Sequence, residues 1–116
     1  MKHALWISSL LLLSLPSLAQ NQGTLNAQAD REFRQADKEL NAAYQELSPK
    51  LGPEARRALV TAQQAWVKFR DADAQAHAEA YHGGSMAPMV YSNQQKQDTV
   101  LRCRQLREWL KELADR

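Results

Sequence analysis

The chain has 116 residues, with 15 Lys and Arg against 13 Asp and Glu for a formal net charge of +2, and 44% of it is hydrophobic. That length suits one small domain with a modest core, and so balanced a charge gives no electrostatic basis for a nucleic-acid or anionic-membrane partner, since both are bound through concentrated positive charge. Its single cysteine, Cys103, excludes an internal disulfide, so the domain must stand on packing.

The first residues read as a leader and not as part of the fold. Met1, Lys2 and His3 make a short basic start, residues 4–15 are an apolar run, Pro16 breaks it, and Ser17-Leu18-Ala19 is a small-x-small site. The run is shorter than the roughly 20 apolar residues of a spanning helix. We therefore expect a signal peptide over residues 1–19 and a mature domain over residues 20–116, without a membrane span. No cysteine follows the run to take a lipid anchor, so the mature chain is expected in the periplasm or secreted. Loss of Lys2 leaves 14 Lys and Arg against 13 Asp and Glu, a net charge of +1.

In the mature chain, Leu25, Ala29, Phe33, Ala36, Leu40, Ala43, Tyr44 and Leu47 recur at threes and fours, which predicts a helix over residues 25–47. Thr24 is its candidate N-cap, and Asp37 and Asn41 lie beside Tyr44 along one edge of the stripe. Pro49 disfavours helical geometry at Ser48, so the helix should stop there. The connection over residues 48–53 is short and should join antiparallel neighbours.

Pro53 is well placed as the first residue of a second helix, with Glu54 in its first turn. This helix is expected to run to Tyr81, where Gly83-Gly84 ends it. Its inward side should carry Leu59, Ala62, Gln63, Trp66, Phe69 and Arg70, with Trp66 and Phe69 as a bulky apolar pair one turn apart. A glutamine and an arginine on that side need acceptors from neighbouring helices.

A third helix follows, with Ser85 as candidate N-cap and Pro88 tolerated in the opening turn. A start near Ser92 is the alternative, because Ser92 and Gln95 have capping-box spacing. Val100, Cys103, Leu106, Trp109, Leu110 and Leu113 mark its expected buried side. Three rods of similar length with short connections predict an all-α, up-down-up antiparallel three-helix bundle, and nothing reads as a strand.

Four short patterns occur in order along this scaffold: Asp37-x-x-Leu40-Asn41-x-x-Tyr44, then Leu59-x-x-x-Gln63-x-x-Trp66-x-x-Phe69-Arg70-Asp71, then Gly83-Gly84-Ser85-Met86, then Thr99-x-x-Arg102-x-x-x-Leu106. Together they resemble the LprI-like family of small exported bacterial helical domains, named after a lysozyme inhibitor. The resemblance implies an envelope protein that binds and inhibits lysozyme or another peptidoglycan hydrolase. Members of that family usually carry cysteines near the positions held here by Gln28, Ala74 and residues 93–95. The present chain lacks them, so any rigidity those bridges give is missing.

Two groups of residues are candidates for function. Asp37, Asn41, Gln63, Arg70, Asp71 and Arg102 lie nearest the core stripes and read first as a structural polar network, in which Arg70 or Arg102 reaches Asp37 or Asp71; a ligand pocket is the other reading. His82, Gly83, Gly84, Ser85 and Met86 form a candidate partner-binding loop, whose plainer reading is a helix-to-helix turn. Lysozyme works with two carboxylates in a cleft, and a narrow projection carrying the donors of His82 and Ser85, rimmed by Met86 and Met89, suits such a target.

Trp66, Phe69, Tyr44 and Trp109 read as core or half-buried aromatics, with Trp109 the one expected to be partly exposed. No nucleophile-base pattern or phosphate-cradling motif is present, and His77 and His82 stand five apart, off one helix face. Neither an enzyme nor a cofactor or metal is expected. The functional alternative to an inhibitor is a non-inhibitory interaction or assembly module of the cell envelope.

Overall fold

A computed structural model describes the backbone of residues 18–116 and the side chains of residues 21–116. The expected leader lies outside them, apart from the backbone of Leu18 and Ala19. Three helices are described: α1 (Leu18–Leu47), α2 (Pro53–Ala78) and α3 (Ala87–Ala114). Single 3-10 turns, Ser48–Lys50 and Glu79–Tyr81, close α1 and α2, and there is no strand among the described residues. The all-α, up-down-up bundle is the fold expected.

The elements begin and end where backbone chemistry requires. Pro53 opens α2 with Gly52 as the cap, and the Arg56 guanidinium donates to the carbonyls of Ser48 and Leu51, at 3.0 and 2.9 Å, fixing the turn from α1. Gly83, at φ 76°, makes the reversal from α2 to α3 in the left-handed region that a side chain would strain.

Three boundary expectations need correction. α1 starts seven residues before Leu25, so Thr24 is inside it and is not a cap. Gly23 weakens that extra stretch, but the Asn26 side chain ties it to the Ser85 carbonyl at 3.1 Å. α3 begins at Ala87 with Met86 in the cap position and no side-chain cap bond, which removes both Ser85 and Ser92 as caps. Pro88 does sit in the opening turn, where its missing N–H costs nothing.

α3 is the helix that both others pack against. α1 runs parallel to it, with Ala29, Ala36 and Ala43 buried every seventh residue of α1 facing an α3 stripe that includes Thr99 and Leu106, also seven apart. That repeat is the one that keeps two gently supercoiled helices in register, and the small alanines let the backbones come close. α2 runs antiparallel to α3, with Gln63 opposite Arg102 and Asp71 opposite Gln95.

The apolar core gathers at one end of the bundle: Leu40, Ala43, Leu47, Leu51, Leu59, Cys103 and Leu106, with Tyr44, Trp66, Trp109, Leu110 and Leu113 packed partly buried against it. Cys103 is free and buried, as an ordinary small core residue.

Three large apolar residues expected inside are exposed: Phe69 (57%), Leu25 (46%) and Val100 (40%). On α2 the inward line runs through Leu59, Gln63, Trp66, Arg70, Ala74 and Ala78, and Phe69 falls on its flank. Ala62 is exposed for the same reason. Among the described side chains, Leu25 lies before the first buried one of α1, Ala29, and Val100 turns away from the Thr99 and Cys103 side of α3.

Candidate functional site

Arg70 stands at the centre of the polar half. Its side chain is 10% exposed, and its guanidinium lies between the Phe33 and Trp66 rings, 4.9 and 5.2 Å from their centroids. Nη1 donates to Asp37 on α1 at 3.2 Å and Nε to Asp71 at 2.9 Å. The same Asp71 oxygen accepts from Gln95 of α3 at 3.0 Å. Arg70 and Asp71 together thereby join all three helices, with the guanidinium close to two rings, a site that suits its delocalised charge better than an ammonium.

Burial pushes the Asp71 carboxyl up, but the hydrogen bonds from Arg70 and Gln95 and the arginine charge outweigh it and hold it below the ordinary carboxylate range. Arg102 has a separate partner. It donates from Nε to Gln63 at 3.0 Å and from Nη1 to Gln105 at 3.2 Å, and it reaches neither Asp37 nor Asp71. Asn41 is exposed and has no hydrogen bond among the described residues. The expected set of six therefore divides into Arg70 with Asp37 and Asp71, Arg102 with Gln63, and Asn41 alone.

A second carboxyl cluster lies closer to the turn, and it was not expected. Gln94 donates to Asp73 at 3.2 Å and to Asp98 at 3.1 Å, joining α2 and α3. Asp98 is 9% exposed and its other oxygen, Oδ2, is buried without a hydrogen-bond partner, as is the Thr99 hydroxyl oxygen. Burial raises the Asp98 carboxyl, and the neighbouring Asp73 carboxylate raises it further, against Gln94 and His77. The buried face of α3 here consists of Ser92, Gln95, Asp98 and Thr99. Polar residues give no hydrophobic period, so only the spacing of Thr99 and Ser92, which continues that of Leu113 and Leu106 in sevens, marked this side as inward.

The expected loop residues are brought together at this same end. Gly84 N–H donates to the Tyr81 carbonyl at 2.9 Å, and a Cβ on Gly84 would stand 3.1 Å from that oxygen, so the tight turn has little room for a side chain there. The Ser85 carbonyl accepts from Asn26 of α1, pinning the loop to the bundle. The His82 side chain is 80% exposed, with Nδ1 3.8 Å from Glu79, and Met86 is 40% exposed. From Arg70 to His82 is about 18 Å along a helix axis. The loop and the arginine clamp are thus separate features. Among the described residues no group of three or more His, Cys, Asp and Glu is arranged to hold a metal, and no helix is long and apolar enough to cross a membrane.

Fold and site define a small three-helix domain, held by polar clamps between helices and presenting a pinned, exposed turn at one end. Residues 16–106 match the family model described as lysozyme inhibitor LprI, and the chain belongs to that family. It is also similar to an uncharacterised protein of Rhizobium meliloti (strain 1021), 36% identical over an aligned length of 103, with 78% of this chain and 74% of the relative covered. No solved structure matches. The matched stretch takes in α1 from its first turn, all of α2, the loop and α3 through Leu106.

Proposed function

We propose that the chain is exported after cleavage behind Ala19 and acts, by binding and not by catalysis, as an inhibitor of a lysozyme-type cell-wall hydrolase. The family match across all three helices carries this reading. The surface in contact is the turn over residues 82–86. Its exposure, its position at the tip of the bundle and its tether through Asn26 to the Ser85 carbonyl support that choice, because a pre-ordered projection loses little freedom on entering a cleft. His82 and the Ser85 hydroxyl offer donors to a pair of carboxylates, one acidic and one ionised.

A net charge near zero gives no long-range attraction to a basic hydrolase, but the charge is unevenly spread. Residues 68–99, which carry the turn, hold four acidic residues against three basic ones, whereas residues 100–116 hold five basic against three acidic. The turn end therefore faces a basic partner more readily than the far end does.

Clearing of a cell-wall suspension by lysozyme, followed by turbidity with and without the processed protein, tests the reading. Slower clearing is expected with excess protein. An unchanged rate for both host-type and bacterial enzymes would leave an envelope interaction module without inhibitory effect. The Arg70, Asp37 and Asp71 contacts and the Arg102 and Gln63 contact belong, in this proposal, to the scaffold and not to the partner surface.

A further inference from the structure

Behind the turn is a groove of about 350 Å³ between the end of α2 and the start of α3. Its apolar walls are Ala78, Ala87, Pro88 and the ring of Tyr91. Its polar atoms are of another kind. Glu79 brings a carboxylate, 63% exposed; His82, whose Nδ1 stands 3.8 Å from Glu79 Oε1, also lines the groove, and no Lys or Arg does. Gln75 spends its amide N–H on Glu79 at 3.4 Å, which leaves the amide oxygen as an acceptor. Ser92 is 8% exposed and lines the groove, yet its hydroxyl has no hydrogen-bond partner among the described residues.

Apolar walls that end in a carboxylate and unused oxygens suit a ligand with a long aliphatic stem and a cationic, donor-only head. We propose that this groove receives an arginine side chain from the surface of the partner protein. The stem lies along Ala78 and Pro88, the guanidinium faces Tyr91, and its forked N–H groups reach Glu79, the Gln75 oxygen and Ser92. A neutral side chain gains less from Glu79, and an acidic one is repelled by it. The inference rests on the proposed reading that this end of the bundle meets another protein, and it names the chemistry of one contact there.

The test needs no hydrolase. N-acetyl-arginine methylamide and its neutral isostere N-acetyl-citrulline methylamide are titrated into the protein recovered from the periplasm, with backbone amide shifts followed by NMR. Saturable shifts over residues 75–92 are expected with the arginine compound at roughly millimolar concentration, and binding about tenfold weaker with the citrulline compound or in Glu79→Gln. Equal affinity for the two compounds, a full response in Glu79→Gln, or no saturation up to about 50 mM overturns the proposal. Selective arginine binding by a protein that leaves lysozyme activity unchanged would sink the inhibitor reading alone. Inhibition without arginine binding would sink the groove alone.

Discussion

The same three helices enclose two different interiors. Where α1 turns into α2 they bury Leu40, Leu47, Leu51, Leu59 and Leu106, and where α2 turns into α3 they bury Arg70, Ser92, Gln95, Asp98 and Thr99 beside small alanines. Apolar burial at the first end is non-directional and supplies the bulk of the stabilisation. Contacts at the second end contribute less per residue but are directional, because each arginine or amide bond is made in one register only. The exposed turn hangs from the directional end. Its position is therefore set by hydrogen-bond geometry more than by hydrophobic mass.

Substitutions should separate the two interiors. Leu106→Ala, at 1% exposure, should cost about 2–5 kcal/mol in a urea titration, through lost transfer energy and the cavity left behind. Arg70→Ala should cost about 3 kcal/mol, since Asp37 and Asp71 lose their partner and two rings lose the guanidinium between them. Arg70→Lys should fall between it and the native chain, because one ammonium cannot stack and serve both carboxylates. Equal urea midpoints for Arg70→Lys and the native protein would mean that charge alone, and not the fork, holds the three helices.

The two aspartates of the polar end should respond to pH in opposite directions. Asp71 is lowered from the ordinary 3.8, so its contribution is present above that value and lost as pH falls through its depressed folded value. Asp98 is raised from 3.8, so its contribution is present below that value and lost as pH rises through its elevated folded value. The cost of Asp71→Asn should accordingly shrink on acidification, whereas any gain from Asp98→Asn should grow as pH rises above about 4. Parallel pH profiles for the two variants would contradict the assignment. The smallest effect is expected at the surface: Phe69→Ser should shift stability by within about 0.5 kcal/mol, and a loss as large as that of Leu106→Ala would place the ring in the core after all.

The apolar interior was the legible one. Leu40, Ala43 and Leu47 repeat at helical spacing, Pro53 and Gly83 punctuate the chain, and three rods with short links leave few packings open. The polar interior was only partly legible. Arg70 reads as inward because it sits one turn past Trp66, and its need for acceptors points to Asp37 and Asp71. Ser92, Gln95, Asp98 and Thr99 carry no apolar period, and an inward serine looks in sequence like a helix cap. Phe69 shows the converse error: a large ring three residues from Trp66 shares its side of the helix only loosely, and the inward line passes through Arg70 instead. Nor does hydrophobic patterning register a groove such as that beside Glu79, which depends on how two helix ends meet.

The most direct test compares a change at the turn with a change in the polar interior, reading thermal stability and lysozyme inhibition on the same samples. His82→Ala with Ser85→Ala should abolish most of the inhibition while leaving the melting temperature where it was, and Asp98→Asn should move the melting temperature while leaving inhibition intact. Full inhibition by the turn variant, with loss of it in the well-folded Asp98→Asn protein, would contradict the account and place the contact surface on the flank of the bundle.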